Sequence, residues 1–191
     1  MTGLDSNLYL ALVHHPVYNK NGEVIASAVS NLDLHDISRA AKTYGVGAFY
    51  VVTPLRDQRE LVRRIVSHWT EGLGAAYNPD RRDALRLLRI VASLDAALDE
   101  ISASGLGRPL TVATDARPYA GRISYKGLLE RLKSRRPLLL MFGTAWGLTQ
   151  EFIEKADCVL APIKGPTVYN HLSVRSAAAI VLDRLLGTER L

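Results

Sequence analysis

Short apolar runs alternate with stretches patterned like amphipathic helices along this chain, and that alternation limits the possible folds more than any other feature. Leu8-Tyr9-Leu10-Ala11-Leu12-Val13 reads as a strand ending at His14-His15-Pro16. Leu34, Ile37, Ala40, Ala41 and Tyr44 then recur at helical spacing behind the capping candidates Asn31 and Asp33, and Gly45 closes the segment. Val46 to Val52 is a second strand, and the helix after it carries Leu61, Val62, Ile65, Val66 and Trp69 on one face before Gly72-Leu73-Gly74. Ala84 to Val91 fits either strand or helix, with a short strand preferred, and leads to a helix bearing Leu94, Ala97, Leu98 and Ile101. Gly105 and Gly107 break that helix, Leu110 to Thr114 is again a strand, and Leu128, Leu129 and Leu132 mark a helix that ends before Pro137. Strands joined through helices pair in parallel and need cover on both faces, so the expected fold is α/β with a mostly parallel sheet.

The last third is the most informative about function. Leu138-Leu139-Leu140-Met141-Phe142 is a buried-strand run that ends in Gly143-Thr144-Ala145-Trp146-Gly147-Leu148. A short helix (Phe152, Ile153, Ala156) and a strand (Cys158 to Ile163) lead through Lys164-Gly165-Pro166 to Tyr169-Asn170-His171-Leu172-Ser173-Val174-Arg175-Ser176-Ala177. Ser173 or Asn170 can offer an oxygen to the free amides of the final helix. Val174, Ala177, Ala178, Val181, Leu182 and Leu185 form its apolar stripe, small enough at the start for a backbone or a flat ligand to approach. An Ala-rich packing helix explains the same residues equally well.

Composition narrows the classes. The chain has 191 residues, enough for one domain with a sizeable core, and no linker or repeat suggests a second; residues 1–191 are read as one domain. No apolar run approaches the length of a membrane span, and the polar stretch from Met1 to Asn7 lacks a signal-peptide pattern, so a cytoplasmic protein is expected. Cys158 is the single cysteine, which excludes an internal disulfide and points to a structural thiol. His14 and His15 are adjacent on a strand end and face opposite ways, so no metal site is expected from them. A net charge of +5 favours a polyanionic partner without identifying one. Neither Gly-x-Gly-x-x-Gly after the first strand nor a Gly-Lys-Ser/Thr phosphate loop is present, which argues against dinucleotide and nucleotide-triphosphate binding.

The order of strand, Gly loop, helix, strand ending in Pro162-Ile163, loop and Asn/Ser-headed helix resembles the SPOUT superfamily of RNA methyltransferases, over roughly residues 137–187. The Tyr169-to-Ala177 segment looks particularly like the bacterial tRNA guanine-N1 methyltransferase relatives within it. The resemblance implies a C-terminal trefoil knot at about 137–187, a homodimer, S-adenosylmethionine as cofactor, and RNA (tRNA first, rRNA next) as substrate. By that resemblance Thr114, Phe142, Gly143, Thr144 and Gly147 line one wall of the donor site, and Leu160, Pro162, Ile163 and Gly165 another. Tyr169, Asn170, Leu172, Ser173, Val174 and Ala177 close it. Many members carry an acidic residue after the first-loop glycine, where this chain has Thr144. Trp146 either covers the donor or plugs the core or a dimer interface.

Asp115 and Arg117 lie just past a strand end, where ligands gather in open parallel sheets. There Asp115 can accept a proton and Arg117 can hold a phosphate or polarise a base, and a local Asp–Arg turn pair fits equally well. Arg175 and His171 are secondary candidates. Arg117, Tyr119, Arg122, Tyr125 and Lys126 interleave basic and aromatic residues as RNA contacts do. Arg56, Arg59 and Arg63 share one helix face, which solvation alone accounts for. A non-catalytic RNA-binding module on the same fold is the alternative to an enzyme.

Overall fold

The computed structural model describes residues 7–105 and 107–188. The polar stretch before Asn7 and the end of the chain at Leu191 lie outside them. In chain order the elements are β1 (Leu8–Val13), β2 (Val17–Tyr18), β3 (Val24–Ile25), α1 (Asn31–Thr43), β4 (Ala48–Val52), α2 (Arg56–Thr70), α3 (Leu73–Tyr77) and α4 (Pro79–Leu85). There follow β5 (Leu88–Val91), α5 (Leu94–Ser102), β6 (Leu110–Ala113), α6 (Tyr125–Lys133), β7 (Leu138–Gly143), α7 (Gln150–Glu154), β8 (Cys158–Val159) and α8 (Val174–Leu186).

Six strands form one sheet in the order β5-β4-β1-β7-β6-β8, every neighbouring pair parallel. β1 is central, with Leu10 opposite Phe49 on one side and Leu140 on the other. Its residues alternate between two apolar layers, as strand geometry requires. Leu8, Leu10 and Leu12 pack with Phe49, Leu140, Leu34, Ile37, Leu182 and Leu185 under α1 and α8. Ala11 and Val13 face the opposite layer, with Tyr50, Leu139, Met141, Leu98, Ile101 and Ile153 under α5 and α7. Both faces are therefore covered, as the alternation of the sequence requires.

Four details differ from the sequence reading. A small antiparallel hairpin, β2–β3, follows His14-His15-Pro16, and two strand residues on each side are too few to leave a period. The ambiguous segment divides: Pro79 opens α4, with the Asn78 side chain accepting from the Arg81 amide, and only Leu88–Val91 is strand. The cap position of α1 is Ser30, which places Asp33 inside the first turn rather than at the cap. β8 ends at Val159, because after the Leu160 amide donates to Ala113 of β6 the chain turns away: the Ala161 amide donates to Ile123, outside β6, and Pro162 has no amide to continue the ladder.

Candidate active site

In a parallel sheet all the strand ends point one way, and the loops beyond them gather at one edge. At the carboxyl ends of β6, β7 and β8 those loops enclose a cavity of about 710 Å³. Of the residues expected at the donor site, Thr114, Phe142, Gly143, Thr144, Gly147, Leu160, Pro162, Ile163, Asn170, Leu172, Ser173, Val174 and Ala177 line it. Asp115 and Arg117 line it too, with Tyr125 and His171. Gly165, Tyr169 and Arg175 stay off the wall: Gly165 lies in open space, and Tyr169 is exposed against the edge of His171. Asp33, Ala116, Ala145, Ala161 and Val181 are wall residues that the sequence does not mark as part of a site. Val181 belongs to the apolar stripe of α8, and that period points to it. Asp33 is a capping candidate in the sequence.

The first wall is the turn after β7. Gly143 has no room for a side chain, since an added Cβ would sit 2.7 Å from the Leu148 amide nitrogen and 2.8 Å from its Cγ. Ala145 adopts φ +52°, a left-handed conformation costing about 1 kcal/mol for a residue with a Cβ. Several hydrogen bonds hold the turn in that shape. The Tyr18 amide donates to Gly147 O, the Trp146 amide donates to Tyr18 O, both at 3.0 Å, and the Gln150 amide donates to the Tyr18 hydroxyl at 3.2 Å. The small hairpin is thus a brace for this turn. Trp146 itself is 64% exposed at the cavity rim and does not plug the core.

Thr144 reaches inward. Its hydroxyl donates to Val13 O at 3.1 Å and lies 2.5 Å from the Ser27 hydroxyl, which is 3.0 Å from His14 Nδ1. His14 is fully buried, and burial pushes its pKa down to about 4, so the ring is neutral at pH 7. His14, Ser27 and Thr144 form a continuous polar thread from the end of β1 to the cavity wall.

The charged residues fall into two groups. Arg117 donates from Nη2 to Asp115 Oδ2 at 2.7 Å, from Nε to Oδ1 at 3.0 Å, and from Nη2 to Leu148 O at 2.9 Å. Its backbone amide also donates to Asp115 Oδ1, at 2.7 Å. The Asp115 hydrogen bonds hold the Arg117 guanidinium above its usual pKa, and the rings of Tyr18 and Tyr119 flank it at 5.9 and 5.7 Å. Both oxygens of Asp115 are occupied, so its first role is to fix Arg117. The local turn pair and the strand-end site coincide here. Arg175, at the start of α8, donates to Asp33 Oδ1 at 3.1 Å and lies 3.5 Å from Asp36 Oδ2, which ties α8 to α1 from behind the wall residue Asp33. Arg59, one of the trio on α2, donates to the Thr53 and Pro54 carbonyls and is held by the fold. Arg122 and Lys126 are exposed. Cys158 is half-buried, off the cavity wall, with its thiol pKa raised by burial.

The second wall is the chain between β8 and α8. Among the described residues, none from Ile163 to Leu172 donates a hydrogen bond to another backbone group. Asn170 reaches across to the loop after β6, its side-chain amide donating to Ala116 O at 3.4 Å. Ser173 caps α8 by accepting from the Ser176 amide. Apolar Leu160, Ile163 and Val174 beside free peptide groups suit a flat, partly polar ligand. Such a ligand can be sandwiched on its faces and hydrogen-bonded along its edge.

A parallel sheet with a largely apolar cavity over its carboxyl edge defines an α/β protein whose loops offer room for a small ligand. Comparison with known proteins makes this specific: the S-adenosylmethionine-dependent RNA methyltransferase family matches residues 7–187, and the chain belongs to it. A tRNA (guanine-N(1)-)-methyltransferase of Oleidesulfovibrio alaskensis is 46% identical over 181 residues, covering 95% of this chain and 42% of that protein. The chain therefore spans about two fifths of that relative. A protein of Aquifex aeolicus described as uncharacterized is 37% identical over 188 residues, covering 98% of this chain and 92% of its own length. Among solved structures, a probable methylase family protein from Haemophilus influenzae superposes with a TM-score of 0.64 at 20% identity, over 95% of this chain and 66% of that one. Among the described residues no helix is long and apolar enough to cross a membrane.

Proposed function

We propose that this chain moves a methyl group from S-adenosylmethionine to RNA, with tRNA the first candidate substrate and rRNA the second. The observation that carries this reading is the second wall, where Ile163, Asn170, His171 and Leu172 line the cavity with amides that donate to no other backbone group among the described residues, opposite the braced Gly143-to-Leu148 turn. Membership of a donor-dependent RNA methyltransferase family supports it. When bound, S-adenosylmethionine supplies an electrophilic methyl group on a sulfonium. The residues present fit such a donor: peptide groups of 143–145, 162–163 and 170–172 for the adenine edge, Leu160, Ile163, Leu172 and Val174 for its faces, and Ser173 and Asn170 closing the pocket. Gly165 and Tyr169 stay in this reading as outer-loop residues beyond the wall. Arg117, fixed by Asp115 and open on one side, holds the RNA phosphate or polarises the target base. Arg175 positions the start of α8 through Asp33.

The same reading includes one domain, a homodimer and a knot. One continuous sheet that pairs β1 with both β4 and β7 supports a single domain. Trp146, Val168, Tyr169 and Leu172, all exposed near the cavity mouth, supply an apolar surface for a second copy. The contacts of the 160–170 segment with Ile123 and Ala116 support its passage against the 114–123 loop as a knot. The cytoplasm, where RNA is modified, is the matching location.

Calorimetric titration with S-adenosylhomocysteine tests the donor site, and micromolar affinity, about 8 kcal/mol, is the expected result. Incorporation of labelled methyl groups into unmodified tRNA or rRNA tests the transfer. Binding without incorporation into either RNA would replace the enzyme by an RNA-binding module, and no binding by folded protein would remove the donor site.

A further inference from the structure

The charges on the cavity wall do not cancel. Asp115 and Arg117 neutralise each other at 2.7 Å. Tyr125 and His171 add no negative charge. Among the described residues, the remaining charged wall residue is Asp33, in the first turn of α1, with a side chain only 12% exposed. Arg175 is its partner, but Arg175 also faces Asp36, which is half exposed. Two carboxylates on one guanidinium leave one negative charge, and Asp33 alone of the three lies on the wall. Its second oxygen, Oδ2, has no hydrogen-bond partner among the described residues. A carboxylate held in a largely apolar cavity acts through a lower effective dielectric than one in water.

We propose that Asp33 lets the cavity distinguish the charged methyl donor from the spent product by attracting the donor's positive charge. S-adenosylmethionine carries a sulfonium and an ammonium against one carboxylate, for a net charge of +1. S-adenosylhomocysteine has lost the sulfonium charge and is neutral overall. A site with one uncompensated carboxylate binds the first more tightly than the second, which draws in donor and releases product. This inference rests on the donor-site reading above. The purely architectural role of Asp33, linking α1 to α8 through Arg175, predicts something different: loss of the side chain would then weaken both ligands alike.

The test is calorimetric titration of wild type and Asp33→Asn with S-adenosylmethionine and S-adenosylhomocysteine separately. The ratio of the two dissociation constants should shift against the donor by about tenfold in Asp33→Asn, with product affinity held within about threefold. Arg175→Gln exposes the Asp33 charge and should move the ratio several-fold the other way, so a misfolded Asp33 variant leaves the idea testable. Equal weakening of both ligands, or an unchanged ratio in both variants, overturns the proposal and leaves the donor site standing. Wild type that binds neither ligand overturns the donor site itself, and this inference with it.

Discussion

The two sides of the sheet are built on different terms. From β5 through β4 to β1 the strands run four to six residues, their backbone groups go into the ladder, and their side chains fill two closed apolar layers. On the β6–β8 side the outermost strand has two residues, and the chain then runs from Leu160 to Ser173 with few backbone partners. The first side is stable because its groups are satisfied. The second is suited to a ligand because its groups are not. Their common boundary is β1 with β7, where the His14–Ser27–Thr144 thread joins them.

The sharpest contrast comes from the shared core. Leu140→Ala in β7, fully buried, is expected to cost about 2–5 kcal/mol in urea unfolding. Leu172→Ala, 46% exposed at the cavity, should stay within about 0.5 kcal/mol while weakening S-adenosylhomocysteine binding. Similar stability losses at both positions would erase the distinction. The boundary thread carries the next effect. His14 has a pKa of about 4 when folded against 6.5 when unfolded, so below pH 6.5 the unfolded chain takes the proton first. Stability should fall as pH drops from 6.5 toward 4, by up to about 3 kcal/mol, and this group adds nothing further below that. His14→Gln should flatten that part of the profile, measured by urea titration at stepped pH.

Gly143→Ala brings a Cβ against the Leu148 backbone, and about 1–3 kcal/mol of destabilisation is expected, with donor affinity reduced at least as strongly. Intact affinity would show that the turn after β7 is not a ligand wall. The smallest effect is at the second wall. Ser173→Ala removes the α8 cap at a cost of about 1 kcal/mol. Combined with Asn170→Ala it should weaken S-adenosylhomocysteine binding in protein whose circular dichroism is unchanged. Unchanged affinity would remove that segment from the site.

What could be read from the sequence follows the same division. β1, β4 and β7 are continuous apolar runs, β6 is one broken only by Thr111, and α5 and α8 carry clean helical periods, because burial on a regular element leaves a regular trace. The hairpin at Val17–Ile25 leaves no trace, since its worth lies in hydrogen bonds that Tyr18 gives to Gly147 and accepts from Trp146, far away in the chain. The wall positions of Leu160, Pro162 and Ile163 came from an ordered set of motifs rather than from periodicity. Asp33 was missed because an acid in a first helical turn has an ordinary local explanation, favourable placement at the positive end of the helix dipole. Only the fold shows Arg175 divided between Asp33 and Asp36.

The position of β1 also governs how the molecule is assembled in time. Leu8 must wait for Leu138, 130 positions later, before the second edge of its strand is paired. At ordinary ribosomal speeds of about 5–20 residues per second, β1 has been made for roughly ten seconds before β7 exists. During that interval a strand reading Leu-Tyr-Leu-Ala-Leu-Val presents an unpaired edge, the kind of edge to which other chains add. The sheet becomes safe only when its middle is closed, so newly made chains are expected to need shelter until β7 has emerged.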